Sequence, residues 1–380
     1  MKIGFVGDFM PSGDQIGKPL SISHRLKNKM DSFDLRVATL ETAVGSYAEI
    51  DEIKMPKSEV SVWSKSEDLH KLLDLNINVV SLANNHACDC GVGSMLQLLD
   101  TLRNVGITPI GGGHNLEEAM KPAVFEKEGE SIAIIGCCED NPVALGTLHF
   151  ATGTEGGIYR LDEKTIVPQI QALKRQYNYV AVVVHWGVEH RWLPENYDVV
   201  KGKKLIEAGA DMVIGGHPHH IQPVKLYKNR PVFFSLGNFH FPDFCLDKVS
   251  NTYYPGKDEF DKLPVFDWMA PAKRNFAMRY FWKYYGRLGL VASVGIDNGT
   301  IITKYSFSVY KKGKIAVSHI GAWHTIKLKC FSLFVGKPVS SKINNYMTLI
   351  NTLFEYKVLG KLVKKYSFYE YMKKYNKDND

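Results

Sequence analysis

No uninterrupted apolar run in this 380-residue chain reaches the ~18 residues that a membrane-crossing helix needs, so the sequence predicts no transmembrane segment. Its opening, MKIGFVGDFM, has neither a charged n-region nor a long apolar stretch, which argues against a signal peptide and for a cytoplasmic location. Cysteine is scarce. The six residues include Cys88, Cys90 and the adjacent Cys137 and Cys138, none falls in a paired C-x-x-C zinc-ribbon spacing, and they read as reduced, mostly buried thiols. No internal repeat is visible. No nucleic-acid motif accompanies the basic residues, which puts nucleic acid last among the partners considered. What is present suits a globular enzyme: 45% hydrophobic residues, and a length that favours one large domain with an appendage.

Over the first 240 residues, apolar strand-like runs at 2–7, 35–40, 77–83, 131–137, 179–185, 211–214 and 231–236 alternate with helical patterns near 65–75, 93–105, 115–120, 165–177 and 198–208. That alternation predicts an α/β fold.

Short polar motifs follow those strands: GD at 7–8, TLE at 39–41, ANNH at 83–86, HWGVE at 185–189 and GGHPHH at 215–220. In open α/β sheets, functional groups gather beyond the carboxyl ends of strands, so ligands spread over some two hundred residues of sequence can be neighbours. Asp8, Glu41, Asn85, His185, His217 and His219 offer carboxylate, carboxamide and imidazole donors for two divalent ions, of the Mn, Fe or Zn kind rather than Mg or Ca. Two ions about 3.5–4 Å apart share a water and clamp a phosphoryl centre. Glu41, at the end of the run 34–41, is placed to bridge them. His86 reads as the proton donor or charge stabiliser for the leaving group. Each candidate has a plainer alternative. Asp8, Asn84 and Asn85 also fit turn chemistry, and a lone His185 at the end of YVAVVVHWG fits a satisfied core histidine. Glu189 and Arg191 are candidates for the substrate mouth, His220 for a spectator, and Asn238 for a contact near the site or a cap.

Taken jointly and in order, GDFM (7–10), LETAV (40–44), VVSLANNHACDCGVGSMLQLLDTLRNVGI (79–107), GGGHNLEEAMKPAVFE (111–126), VVVHWGVEH (182–190), GADMVIGGHPHHIQPV (209–224) and PVFFSLGNFHF (231–241) resemble the capsule-synthesis CapA / poly-γ-glutamate biosynthesis family. That family is itself similar to calcineurin-like metallophosphoesterases. The resemblance covers roughly residues 1–241. It implies a four-layer sandwich of two mixed sheets flanked by helices, with a C-terminal extension, and a metal-dependent phosphoester hydrolase working on a surface-polymer precursor or a phosphorylated small substrate. The substrate contacts it suggests are Asn84, Glu189, Arg191 and Asn238. The alternatives are a non-catalytic capsule-assembly component and an amide or γ-glutamyl hydrolase on the same fold. The chain departs from the pattern at Thr39-Leu40-Glu41, at Gly215-Gly216-His217-Pro218-His219, at Asp89-Cys90-Gly91, where an aromatic is usual, and at Phe9-Met10, where phosphoesterases carry a further histidine ligand.

Charge divides the chain. Residues 251–380 hold 22 Lys and Arg against 9 Asp and Glu, whereas residues 1–250 hold 25 against 31. The expected organisation is a catalytic domain at 1–250, an aromatic stretch and a β-hairpin turning at Asp297-Asn298-Gly299 within 251–315, and a basic extension at 316–380. Within the extension, Ile343, Tyr346, Met347, Ile350, Leu353 and Phe354 recur at helical spacing ahead of Lys357, Lys361, Lys364 and Lys365. Such a helix suits peripheral contact with the inner face of the cell membrane through residues 340–380, or plain packing on the domain.

Overall fold

Side chains along the first strand, Lys2–Phe9, alternate between two cores: Ile3 and Phe5 enter one, Val6 the other. The same alternation sends Leu35 and Val37 one way and Ala38 and Leu40 the other on Leu35–Leu40. On Tyr179–His185, Ala181 and Val183 share the core of Ile3 and Phe5, while Val180, Val182 and Val184 join a third core. Strands with apolar residues on both faces belong to sheets covered on both sides. The computed structural model, which describes residues 1–46, 60–141, 146–246, 252–254, 262–263, 278–282, 284–297, 299–311, 313–318, 321–337 and 342–344, shows that arrangement.

Two mixed sheets pack face to face over the shared core. One runs Ser21–Ile22, Lys314–Val317, Thr300–Lys311, Leu288–Asp297, Lys2–Phe9, Leu35–Leu40, Val79–Ser81, Thr108–Ile110, with Asn238–His240 added beside Lys2–Phe9. The other runs Val224–Tyr227, Arg230–Phe233, Met212–Gly216, Tyr179–His185, Glu130–Cys138, Ala123–Lys127. Leu26 and Met30 of His24–Asp31, Leu72 of His70–Asp74, and Leu98 and Leu102 of Gly91–Asn104 cover the outer face of the first sheet. Ile166, Ile170 and Leu173 of Glu163–Gln176, with Leu205 and Ile206 of Asn196–Ala208, cover that of the second. The result is a four-layer α/β sandwich.

The expected hairpin pairs Asp297 with Thr300, and its first strand, Leu288–Asp297, runs antiparallel to Lys2–Phe9. The helix His24–Asp31 is absent from the sequence pattern, because only Leu26 and Met30 of its eight residues are buried and so short a stripe carries little periodicity; the Ser23 side chain caps it. The amphipathic segment from residue 340 onward lies, apart from 342–344, outside the described residues. Among the described residues, no helix is long and apolar enough to cross a membrane.

Register brings the carboxyl ends of the parallel strands together. Asp8 lies opposite Thr39 on one side and Asn238 on the other, and His185 lies opposite Gly216. The Asp8 amide donates to Gly237 O at 3.0 Å. This approach needs glycine at position 7, where a Cβ would stand 1.7 Å from Gly237 O. Gly7→Ala is therefore expected to cost about 3 kcal/mol or more in urea denaturation, since only backbone movement relieves the clash. Gly153→Ala, with open space around its Cβ position, should leave the midpoint nearly unchanged. Equal midpoints for the two would refute the close-approach argument.

Candidate metal centre

Five parallel strands end at one edge of the sandwich and deliver the polar motifs there. Asp8 ends Lys2–Phe9, Glu41 follows Leu35–Leu40, Asn85 follows Val79–Ser81 by a short turn, His185 ends Tyr179–His185 and His217 follows Met212–Gly216. The amide of Glu41 donates to Phe9 O at 3.0 Å, fixing its side chain beside Asp8. Asn84 donates through Nδ2 to Leu40 O at 2.8 Å, and its Oδ1 accepts the His86 amide at 3.0 Å. Its carboxamide thus ties the turn bearing Asn85 and His86 to the strand bearing Glu41.

His217 occupies φ +93° and His219 φ +52°, conformations that cost a side-chain-bearing residue about 1–3 kcal/mol and persist where the surroundings hold them. At Gly216 a Cβ would meet Asp8 Oδ1 at 2.6 Å, so glycine there lets the carboxylate lie against the turn. The His217 amide in turn donates to Asp8 Oδ2 at 3.3 Å.

Two three-residue donor groups result, Glu41–His185–His217 and Asp8–Glu41–His219, with the ligand atoms of each group within 4.8 Å of one another. Glu41 belongs to both. His185 Nε2 lies 3.3 Å from Glu41 Oε1, 3.2 Å from His217 Nδ1 and 2.8 Å from Asn85 Oδ1. His219 Nε2 stands 3.6 Å from Glu41 Oε1, while its Nδ1 meets Asn238 Oδ1 at 2.8 Å. Asn238 donates its own Nδ2 to Gly286 O at 2.7 Å, so its carboxamide orients the His219 ring, as carboxamide and carbonyl partners do for metal-bound imidazoles.

Burial raises the Asp8 carboxyl to about 7. It raises Glu41 well above the usual range, and the neighbouring Asp8 charge adds to the effect. Burial also lowers His185, His217 and His219 well below the ordinary histidine value, each further depressed by neighbouring imidazoles. Neutral imidazoles and desolvated carboxylates are the ligating forms that cations stabilise. Among the described residues, Asp8 Oδ1, both Glu41 oxygens and His185 Nδ1 are buried without a hydrogen-bond partner. Buried carboxylate oxygens left unpaired cost several kcal/mol, and a cation removes that cost. The residues therefore fit divalent metal.

His86 stands beside this cluster without joining either donor group. Its Nδ1 meets Asp89 Oδ2 at 2.7 Å, and Asp89 also accepts the amides of Val62 and Thr147, each at 2.7 Å. The sequence marks Asp89 only as part of Asp89-Cys90-Gly91 and gives it no part in the site; its signal is the three-residue spacing after His86. Glu189 lies at the rim, its carboxyl raised to about 7 by burial while the nearby His86 opposes the shift. The Arg191 side chain faces Glu195, Nε to Oε1 3.8 Å. His220 stacks on Trp192 with ring centroids 5.0 Å apart.

A sequence model of the bacterial capsule synthesis protein family PGA_cap matches residues 2–243. The chain belongs to this family. Over 189 residues it is 31% identical to the PGA biosynthesis protein CapA of Bacillus subtilis, covering 50% of this chain and 49% of that one. Over 186 residues it is 28% identical to the capsule biosynthesis protein CapA of Bacillus anthracis, covering 48% and 44%. A probable polyglutamine synthesis accessory protein of Mycobacterium tuberculosis is 26% identical over 212 residues, covering 54% and 55%. The chain thus spans about half the length of the curated relatives it matches. All the residues of the cluster fall inside the matched region, whereas the strands Leu288–Asp297 and Thr300–Lys311 lie beyond it.

Glu41→Gln is expected to abolish binding of both ions, whereas His219→Ala should leave about one equivalent at the Glu41–His185–His217 group. Elemental analysis after loading with Mn²⁺ reads this directly, and loss of both ions in each variant would rule out two separable subsites. Because Asp8 keeps its proton up to about pH 7 in the ion-free protein, metal must displace that proton. Glu41, its carboxyl raised as well, must also give up its proton, so apparent Mn²⁺ affinity should rise with pH through about 7, with proton release in calorimetry run in two buffers. A flat profile would contradict it.

Proposed function

We propose that the centre is the active site of a metal-dependent hydrolase that cleaves a phosphoester during synthesis of a capsule, poly-glutamate or related surface polymer. The observation that carries this reading is the sharing of Glu41 between two donor groups with His86 alongside. Asp8, Glu41 and His219 would hold one ion; Glu41, His185 and His217, with Asn85 Oδ1 beside them, would hold the other. Two such ions supply Lewis-acid charge and a water of lowered pKa at neutral pH.

The protein's own groups do the rest. Asp89 fixes the His86 ring through Nδ1 and leaves Nε2 to pass a proton to the departing oxygen. Glu189, holding its proton until near neutrality, offers an incoming anion a group that does not repel it. Burial of every ligand side chain keeps bulk water away from the reacting centre, where fixed charges act more strongly.

The relatives' names supply the polymer setting, and the cluster supplies the chemistry. In the Mn²⁺-loaded protein, bis(p-nitrophenyl) phosphate should be hydrolysed, and His86→Ala should lower kcat by about 100-fold or more on an alkyl ester while affecting the p-nitrophenyl ester less, since a good leaving group needs little protonation. Equal losses on both esters would remove His86 as the proton donor. Turnover of a γ-glutamyl peptide with no phosphoester cleaved would transfer the site to amide hydrolysis. Metal binding with neither activity would leave a non-catalytic assembly component.

A further inference from the structure

The segment beyond the family match returns to the loop that rims the metal centre. Asn344, fully buried, accepts the Trp192 amide at 3.2 Å and the Leu193 amide at 2.9 Å through Oδ1. Its Nδ2 donates to Leu193 O at 3.1 Å and to Glu195 Oε1 at 3.4 Å. One carboxamide therefore satisfies three backbone groups of two consecutive residues, as a strand partner would. From the helix Gly321–Ser332, Lys327 places Nζ 3.3 Å from the ring centre of Trp192 and 4.4 Å from that of Tyr285.

What is held matters more than the holding. The Trp192 ring, gripped by Lys327 on a face and by Asn344 through its backbone, stacks on His220, next in sequence to His219. Three residues before Trp192 comes Glu189. Between them, the His190 amide donates to Pro218 O at 2.9 Å within the histidine-bearing turn, and Gln222 Nε2 donates to Arg191 O at 3.1 Å. The loop from Gly187 to Glu195 is thus fastened to the metal-binding turn on one side and to the C-terminal segment on the other. Loops carrying site residues are precise only as far as such fastenings make them.

We infer that Asn344 and Lys327 are positioning residues of the site: the C-terminal segment is a strap that sets the Glu189–Trp192 rim, and hence substrate capture, without taking part in metal binding. The part concerning substrate rests on the hydrolase reading; the part concerning the loop does not. The test uses full-length, Mn²⁺-loaded protein and the variants Asn344→Ala, Lys327→Met and Lys327→Arg. Amide hydrogen exchange across residues 187–195 and kinetics on bis(p-nitrophenyl) phosphate are both measured. Asn344→Ala and Lys327→Met should speed exchange at 187–191 as well as at Trp192 and Leu193, and raise KM roughly 10-fold with kcat and metal content near the parent values. Lys327→Arg, which keeps a cation over the ring, should restore both readouts. Faster exchange confined to Trp192 and Leu193, or faster exchange at 187–191 with KM unchanged, would overturn the strap. If the parent turns over nothing, the hydrolase reading fails alone, and exchange at 187–191 still decides whether the strap sets the rim.

Discussion

Two carboxylates buried side by side are the constraint on which this molecule turns. Asp8 and Glu41 are both fully shielded from solvent, their oxygens largely without protein donors, and three neutral imidazoles face them. A fold tolerates such a cluster only if the surrounding structure is stable enough to bear its cost, or if a cation removes that cost. Much of the architecture serves the first condition. Both sheets are covered on both faces, and the strands carrying the cluster lie away from the sheet edges, with neighbours on each side.

The second sphere divides its labour by element. Asn84, Asn238 and Asp89 make no claim on metal; each spends its side chain on orienting a neighbour, to the Glu41 strand, to His219 and to His86 respectively. The same logic extends outward through Trp192 and His220 to the helix Gly321–Ser332. The centre is therefore a family-matched cluster set inside supports, some of which lie beyond the matched residues 2–243.

Most of the fold was legible because sheets covered on both faces need long apolar runs. Runs at 35–40 and 179–185 coincide with Leu35–Leu40 and Tyr179–His185, and helical patterns near 93–105 and 198–208 with Gly91–Asn104 and Asn196–Ala208. Missed pieces share one cause. The helix His24–Asp31 and the strand Thr108–Ile110 are short, with too few buried positions for a period to show. Within the site, residue chemistry singled out the imidazoles, the carboxylates and Asn85, but not what Asn84 does: the turn geometry sends its carboxamide to Leu40 O and the His86 amide, while Asn85 Oδ1 meets His185.

By itself, then, the sequence determined the α/β layering, the family, and the set of side chains able to hold a cation, because periodicity and residue chemistry are local properties. Tertiary structure alone decided that Asp89 rather than a distant acid steadies His86, and that Asn344 reaches across roughly 150 residues to Trp192 and Leu193. Those facts depend on strand register and on loops closing over long sequence separations. No local pattern encodes them, because the partners meet only after both sheets have packed.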